Sequence, residues 1–188
     1  MKTNKTKKRF DIIVGIDSGE TSGAAILVNG KIVNDYLKLL MPDHGLSSYG
    51  KINSEDYRYS VIANVYYLGI SLVSSNPETL FIFEDWPSPY LPGKKDDPKR
   101  MGHKQLLAMG ENRGRWLEQI ERRCNRFKIA SVATRTWRKG YGLNGYPKEQ
   151  VKKMAIETAN SLFKINVADD NEAEALLIAH WGYQNYGR

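Results

Sequence analysis

Short apolar runs rich in β-branched and aromatic residues recur along the chain between longer segments of mixed polarity. Such runs predict buried β-strands at residues 12–16, 24–28, 31–39, 79–83 and 128–133. The dipeptide Asn29-Gly30, between the second and third runs, is a strong hairpin-turn signal. The first three strands are therefore expected to form an antiparallel meander.

The intervening and closing segments have the apolar spacing of helices. Helical periodicity covers residues 54–75, 103–123, 148–163 and 170–186. Stretches rich in Gly, Pro, Ser or Asn indicate loops at residues 41–54, 86–102 and 140–147. Because helices join the later strands, these strands are expected to pair in parallel. The predicted architecture is an α/β fold with a mixed five-stranded sheet flanked by helices.

The composition indicates a basic protein. The 188 residues include 28 Lys and Arg against 21 Asp and Glu, a formal charge of +7 that favours a polyanionic partner such as nucleic acid. We expect one domain over residues 10–188 and a flexible basic tail over residues 1–9, either solvated or lying along phosphates. Cys124 is the only cysteine, which argues against a disulfide or a Cys-built zinc site and favours a reducing, cytoplasmic compartment. No apolar run reaches the roughly 18 residues of a membrane helix, so no membrane partner is expected.

Two acidic residues directly follow predicted buried strands. Asp17 ends the first strand within a segment whose glycines let the backbone approach a bulky group closely, and Glu84 ends the fourth. If these strands are parallel neighbours, both carboxylates emerge at the same edge of the sheet. A partly desolvated carboxylate is costly unless a cation or hydrogen-bond donors compensate. The alternative is that each acid closes its strand in a turn or at a solvated end.

A further group of acids opens the last predicted helix. Asp170 and Glu174 are four residues apart and share one helical face, so their repulsion is destabilising unless a cation lies between them. Acids in a first turn also interact favourably with the helix dipole, which is the alternative explanation. Asn171 offers a neutral oxygen in place of Asp170, and the sequence does not choose between the two.

These side chains form an oxygen-only set of candidate metal ligands: Asp17, Glu84, Asp170 and Glu174, with Asn171 possible as another. Oxygen ligands without cysteine select hard cations such as Mg²⁺ or Mn²⁺. Two such ions about 4 Å apart can clamp the attacking and leaving oxygens of an in-line phosphodiester displacement. A basic chain with such a site therefore suggests phosphodiester hydrolysis.

Taken in order, the motifs resemble those of the RuvC family of Holliday-junction resolvases, which have the ribonuclease H-like fold. The segment Gly15-Ile-Asp17-Ser-Gly is similar to the family's strand-one motif, where Pro usually replaces Ser18. Phe81-Ile-Phe-Glu84 resembles the strand-four glutamate.

Three downstream motifs extend the resemblance. The segment 110–114 is similar to the Gly-x-x-Arg-Gly core of the family's next helix, and the loop at 140–147 resembles a Gly-rich loop that leads to a lysine, here Lys148. Residues 173–179 resemble the final acidic helix, although the family usually has Asp where Glu174 stands and often an acid or His in place of Asn171. The long loop at 86–102 is typical of a phage-type relative.

The resemblance implies a metal-dependent nuclease that uses Mg²⁺, with Mn²⁺ able to substitute, and needs no nucleotide cofactor. The implied catalytic residues are Asp17, Glu84, Asp170, Glu174 and Lys148, the lysine near the scissile phosphate. A symmetric homodimer is implied, in which each subunit nicks one of two opposed strands of a four-way DNA junction. A phage-encoded member would act in the bacterial host cytoplasm.

Two basic groups are candidate DNA contacts, one in the long loop and one in residues 135–148. The candidate residues are Tyr90, Lys94, Lys95, Arg100, Arg138, Lys139 and Lys148. Basic residues with interleaved aromatic residues fit phosphate contact plus stacking on an unpaired base, and Tyr90 is expected to help hold the junction open. The alternative for the first group is a solvated loop.

Three other functions are weighed against the junction nuclease. A nuclease of the same fold could act on flaps, forks or RNA–DNA hybrids. The chain could instead be a DNA-binding relative with weak catalysis, because Glu174 and Asn171 depart from the residues that the family usually has at these positions. A phosphotransferase of the actin and sugar-kinase group would need two lobes and a second Asp-Gly phosphate loop, which this short chain does not offer.

Overall fold

A computed structural model describes residues 10–17, 22–32, 49–52, 55–68, 73, 77–85 and 103–187. The strands are β1 (Ile12–Asp17), β2 (Ser22–Val28), β3 (Lys31–Ile32), β4 (Tyr49–Ile52), β5 (Thr79–Asp85) and β6 (Phe127–Ala133). The helices are α1 (Glu55–Leu68), α2 (His103–Arg123), α3 (Thr134–Gly140), α4 (Lys148–Phe163) and α5 (Asp170–Tyr186). Within the described ranges, none of the helices combines the length and apolar character that crossing a membrane requires.

The strands form one mixed sheet, as predicted. β1 pairs antiparallel with β2 on one side and parallel with β5 on the other, and β5 pairs parallel with β6. β3 pairs with Leu27 and Val28 of β2, and β4 pairs with residues 22–25 of the same strand. Because β1 occupies the other side of β2, β3 and β4 share one edge of the sheet. The sheet therefore has five strand positions, as expected, and the outermost position beside β2 is shared by the two short strands β3 and β4.

The central strand β1 contributes to two separate cores, one on each face of the sheet. Ile13 packs with residues 173–179 of α5, whereas Ile12, Val14 and Ile16 pack with α1 and α2 on the opposite face. All four side chains are at most 1% exposed. Such burial on both faces is typical of a central strand in an α/β sheet. Helices α3, α4 and α5 thus cover one face, and α1 and α2 cover the other.

Helix α5 lies directly against the backbone of β1 and β2. A Cβ atom built on Gly15 would be 2.3 Å from the carbonyl oxygen of Ala175 and 2.4 Å from the amide nitrogen of Ala179. A Cβ atom on Gly23 would be 2.1 Å from the carbonyl oxygen of Asn171. Each distance is far below van der Waals contact, so only glycine fits at these two positions. The bulky group that the glycine-rich segment accommodates is therefore the last helix.

Two segments differ from the sequence prediction. Residues 49–52 form β4 where a loop was expected, because the open edge of β2 supplies a hydrogen-bonding partner that loop composition does not reveal. Residues 134–140 form α3 directly after β6, although no helix was predicted there. The strand predicted over residues 31–39 is described only at Lys31 and Ile32, and the rest of that prediction lies outside the described residues.

Candidate metal centre

Asp17 and Glu84 lie side by side at the carboxyl ends of two neighbouring parallel strands. β1 and β5 pair with Ile16 opposite Phe83. Asp17 directly follows Ile16 and Glu84 directly follows Phe83, so the two acids lie at the same level of the sheet. Ile16 and Phe83 belong to the core beneath α1 and α2. Because side chains alternate across a strand, the two acids face the other side of the sheet, which α5 covers.

Glu174 reaches the same place from α5. Its neighbours Ala173 and Ala175 are fully buried against the sheet, which holds this turn of the helix beside β1. One carboxylate oxygen each from Asp17, Glu84 and Glu174 lies within 4.8 Å of the other two. Asp17 is only 6% exposed and Glu174 only 7%, whereas Glu84 is half-buried. The three acids therefore form a largely desolvated carboxylate cluster at one edge of the sheet.

The electrostatics of this cluster suit a divalent cation. The pKa of Glu174 is raised to about 7, first because burial disfavours its charged form and further because Glu84 and Asp170 repel it, while Arg138 acts in the opposite direction. A cation between the carboxylates would offset both the burial and the repulsion. Since every candidate ligand atom is a carboxylate oxygen, the residues fit a hard cation such as Mg²⁺ or Mn²⁺.

Helix α3 supplies a hydrogen-bond donor to two of the three acids. The indole Nε1 of Trp137 donates to Glu84 Oε1 at 2.9 Å, and a terminal nitrogen of Arg138 donates to Glu174 Oε1 at 2.7 Å. The guanidinium of Arg138 also lies 5.2 Å from the ring centroid of Trp137. The sequence alone did not indicate that either residue contacts the carboxylates. The one signal that could have indicated such a contact is Trp137, an aromatic residue in a basic segment. A buried indole N–H usually needs an acceptor, and a nearby carboxylate can supply one.

The other two predicted ligands make different contacts. Asp170 is not one of the three acids whose oxygens meet, and its Oδ2 lies 2.9 Å from Nζ of Lys152 in α4. Asn171 donates from its backbone nitrogen at 2.9 Å and from its side-chain nitrogen at 3.0 Å to Oδ1 of Asp169, which caps the start of α5. Both residues stand at the first turn of the helix that carries Glu174, next to the cluster.

The predicted DNA contacts are described only in part. Tyr90, Lys94, Lys95 and Arg100 lie outside the described residues. Lys139 is exposed in α3. Lys148 is the exposed first residue of α4, one turn before the lysine that pairs with Asp170. It therefore lies towards the end of α5 that carries the acids.

Two solved structures resemble this fold over nearly the whole chain. T. thermophilus RuvC in complex with Holliday junction substrate matches with a TM-score of 0.51 at 14% sequence identity, covering 92% of this chain and 94% of that one. A second Thermus thermophilus RuvC structure matches with a TM-score of 0.47 at 14% identity, covering 92% and 95% of the two chains. No protein-family model and no curated protein matches the sequence. The first likeness shows that the chain has the RuvC fold, the ribonuclease H-like fold expected from the motifs.

Proposed function

We propose that this chain is a divalent-metal-dependent endonuclease that cleaves four-way DNA junctions. The observation that carries the proposal is the cluster of Asp17, Glu84 and Glu174 at one edge of a sheet with the RuvC fold. The solved RuvC structure of the same fold is a complex with Holliday junction substrate, which supports the choice of substrate. The formal charge of +7 supports a polyanionic partner.

The three clustered acids are the proposed ligands of Mg²⁺, which Mn²⁺ can replace, and Asp170 and Asn171 are the candidates for a further ligand. When bound, one or two such ions supply charge stabilisation for an in-line phosphodiester displacement. Asp17 and Glu174 hold their oxygens in a site from which water is largely excluded. Arg138 balances part of the negative charge beside them.

Exposed lysines near the cluster are the proposed contacts to the DNA backbone. Lys148, at the start of α4, is proposed to approach the scissile phosphate, and Lys139, in α3, is proposed to contact a neighbouring phosphate. Tyr90, in the segment 86–102 that lies outside the described residues, is proposed to help hold the junction open, and Lys94, Lys95 and Arg100 of the same segment to contact phosphates. Two copies related by a two-fold axis would then nick opposed strands of one junction.

The proposal is tested by incubating the protein with a synthetic four-way junction, a linear duplex of the same arm sequences, a flap and an RNA–DNA hybrid. We expect paired nicks in the junction with Mg²⁺ or Mn²⁺, and none with EDTA, because the carboxylates alone do not stabilise the charge that develops. Equal cleavage of junction and duplex would refute junction selectivity. Faster cleavage of the flap or the hybrid would reassign the substrate. The enzyme proposal fails if no nucleic acid is cleaved with any metal.

Arg138 provides a second test, through metal affinity. Its guanidinium contacts the same carboxylate that is proposed to bind the metal, and two unit charges about 4 Å apart near a protein surface interact by about 4 kcal/mol. Arg138→Gln removes this competing positive charge. We therefore expect the variant to bind Mn²⁺ about tenfold more tightly, since the altered geometry of Glu174 offsets part of the electrostatic gain. Isothermal titration calorimetry measures the change.

Arg135→Gln is the matched control for Arg138→Gln. Arg135 is exposed and lies one turn earlier in the same helix, so the control lowers the net charge by the same amount. We expect it to change the Mn²⁺ affinity little. Equal tightening in the two variants would show that overall charge, and not the contact with Glu174, sets the affinity.

A further inference from the structure

Trp137 makes a polar contact with one of the three clustered acids. The side chain is fully buried, and its indole N–H is directed at Glu84 Oε1 at 2.9 Å. Trp116, on the other face of the sheet, is just as buried, yet its Nε1 has no hydrogen-bond partner among the described residues. Of these two buried indoles, Trp137 is thus the one that donates to a clustered acid.

The position of the indole relative to Glu84 is set by neighbouring backbone. β5 and β6 pair up to Asp85 opposite Ala133, and α3 begins at the next residue. Trp137 follows one turn later and packs into the core with Val132 and residues of α5. Two paired strands and a short helix thus deliver a rigid donor to a carboxylate on the adjacent strand.

Such a donor restricts the carboxylate. The terminal torsion of a glutamate is broad, so a half-buried Glu84 without a fixed partner would sample many orientations. An ionised carboxylate has two oxygens and about four acceptor sites, so a bond from the indole occupies one of them and is compatible with a bound cation. Groups that orient metal ligands in this way typically change metal affinity by 10–100-fold when they are removed.

We propose that Trp137 is a positioning residue that holds Glu84 ready for a divalent cation. This inference rests on the proposed function, because it takes Glu84 to be a metal ligand. Trp137 acts through Glu84 and does not itself contact the cation or the DNA. Helix α3 is accordingly a part of the proposed metal centre, because its adjacent residues Trp137 and Arg138 donate hydrogen bonds to Glu84 and Glu174.

The inference is tested by the Mn²⁺ affinity of Trp137→Phe, measured by calorimetry, with Trp116→Phe as the matched control. Both variants replace a fully buried indole with a smaller ring, so both should lower the melting temperature to a similar degree. Only Trp137→Phe removes a donor to the cluster. We expect its dissociation constant for Mn²⁺ to rise by about tenfold or more, and that of Trp116→Phe to change less than about twofold. Equal changes in the two variants would overturn the inference.

A measurement on the unaltered protein keeps the inference falsifiable if Trp137→Phe does not fold. The indole ¹H–¹⁵N signals of Trp137 and Trp116 are followed by NMR while Mg²⁺ is added. We expect the Trp137 signal to shift and the Trp116 signal to stay, because only the first indole is bonded to a proposed ligand. An unmoved Trp137 signal, in a protein whose metal binding calorimetry has shown, would overturn the positioning role alone. No metal binding by the unaltered protein would instead remove the proposed function and this inference with it.

Discussion

Asp17→Asn is expected to reduce junction cleavage by about 10³-fold while junction binding is retained. Asp17 is one of the two most deeply buried acids of the cluster, so its charge faces the proposed cation with little screening by water. Metal ions stabilise the charge of such reactions by several kcal/mol, and each 1.36 kcal/mol corresponds to about tenfold in rate. DNA affinity depends mainly on phosphate contacts with Lys and Arg, which the substitution leaves intact. Single-turnover cleavage and gel-shift titration measure the two quantities.

Glu84→Gln is expected to behave in the same way, and Asp85→Asn supplies the matched control. Asp85 is the next residue of β5, but it is exposed and is not among the clustered acids. The control removes the same unit of charge within one residue of the site and should cleave at nearly the unaltered rate. Full cleavage by Asp17→Asn would remove that residue from the catalytic set. A comparable loss in Asp85→Asn would show that local charge, and not ligation, is what matters.

Gly15→Ala is expected to destabilise the protein by about 3 kcal/mol, near the upper end of the usual range for overpacking a core. The new methyl group would meet the backbone of Ala175 and Ala179 at 2.3 and 2.4 Å, and a helix backbone cannot yield as a flexible side chain can. Helix α5 must therefore move away from β1, and Glu174 moves with it. In a domain of this size the loss corresponds to a melting temperature lower by roughly 6–12 °C, measurable by calorimetry. The Mn²⁺ affinity should fall as well, because the three acids separate.

Gly114→Ala is the control for this substitution. Gly114 is an exposed residue in α2, and a Cβ atom there would meet nothing within 4 Å among the described residues. Replacing glycine with alanine inside a helix favours the helix by up to about 1 kcal/mol. We therefore expect a small rise in melting temperature and an unchanged Mn²⁺ affinity. A stable Gly15→Ala protein with normal metal binding would contradict the tight contact between α5 and the sheet.

Local patterns in the sequence predicted most of the elements. The helices over 103–123, 148–163 and 170–186 were expected at the bounds that the structure shows. The strand over residues 79–83 that leads to Glu84 was also expected, and so was the antiparallel meander of β1, β2 and β3. These features depend on periodicity and turn chemistry within a few residues, which a single sequence displays directly. They predicted that Asp17 and Glu84 emerge at one edge of the sheet if their strands are parallel neighbours, and the structure shows that pairing.

Other features depend on partners that are distant in the chain. Residues 49–52 form the strand β4 because β2 offers them a hydrogen-bonding edge. Helix α3 lies in a basic segment that the sequence indicated only as a DNA contact. The sequence predicted Glu174 as a ligand and left Asp170 and Asn171 as alternatives for a further one. The structure brings only Glu174 among them into the three-acid cluster, while Asp170 pairs with Lys152.

The sequence by itself determined most of the elements and the acids that follow two of the strands, because these depend on the chemistry of neighbouring residues. The order of these elements was enough to predict the fold class. Only the tertiary structure decided that Gly15 admits α5 against the sheet, and that Trp137 and Arg138 reach Glu84 and Glu174. These contacts join residues 36 to 164 positions apart, from Arg138–Glu174 to Gly15–Ala179. Packing of whole helices and strands sets such distances, and no local pattern records them.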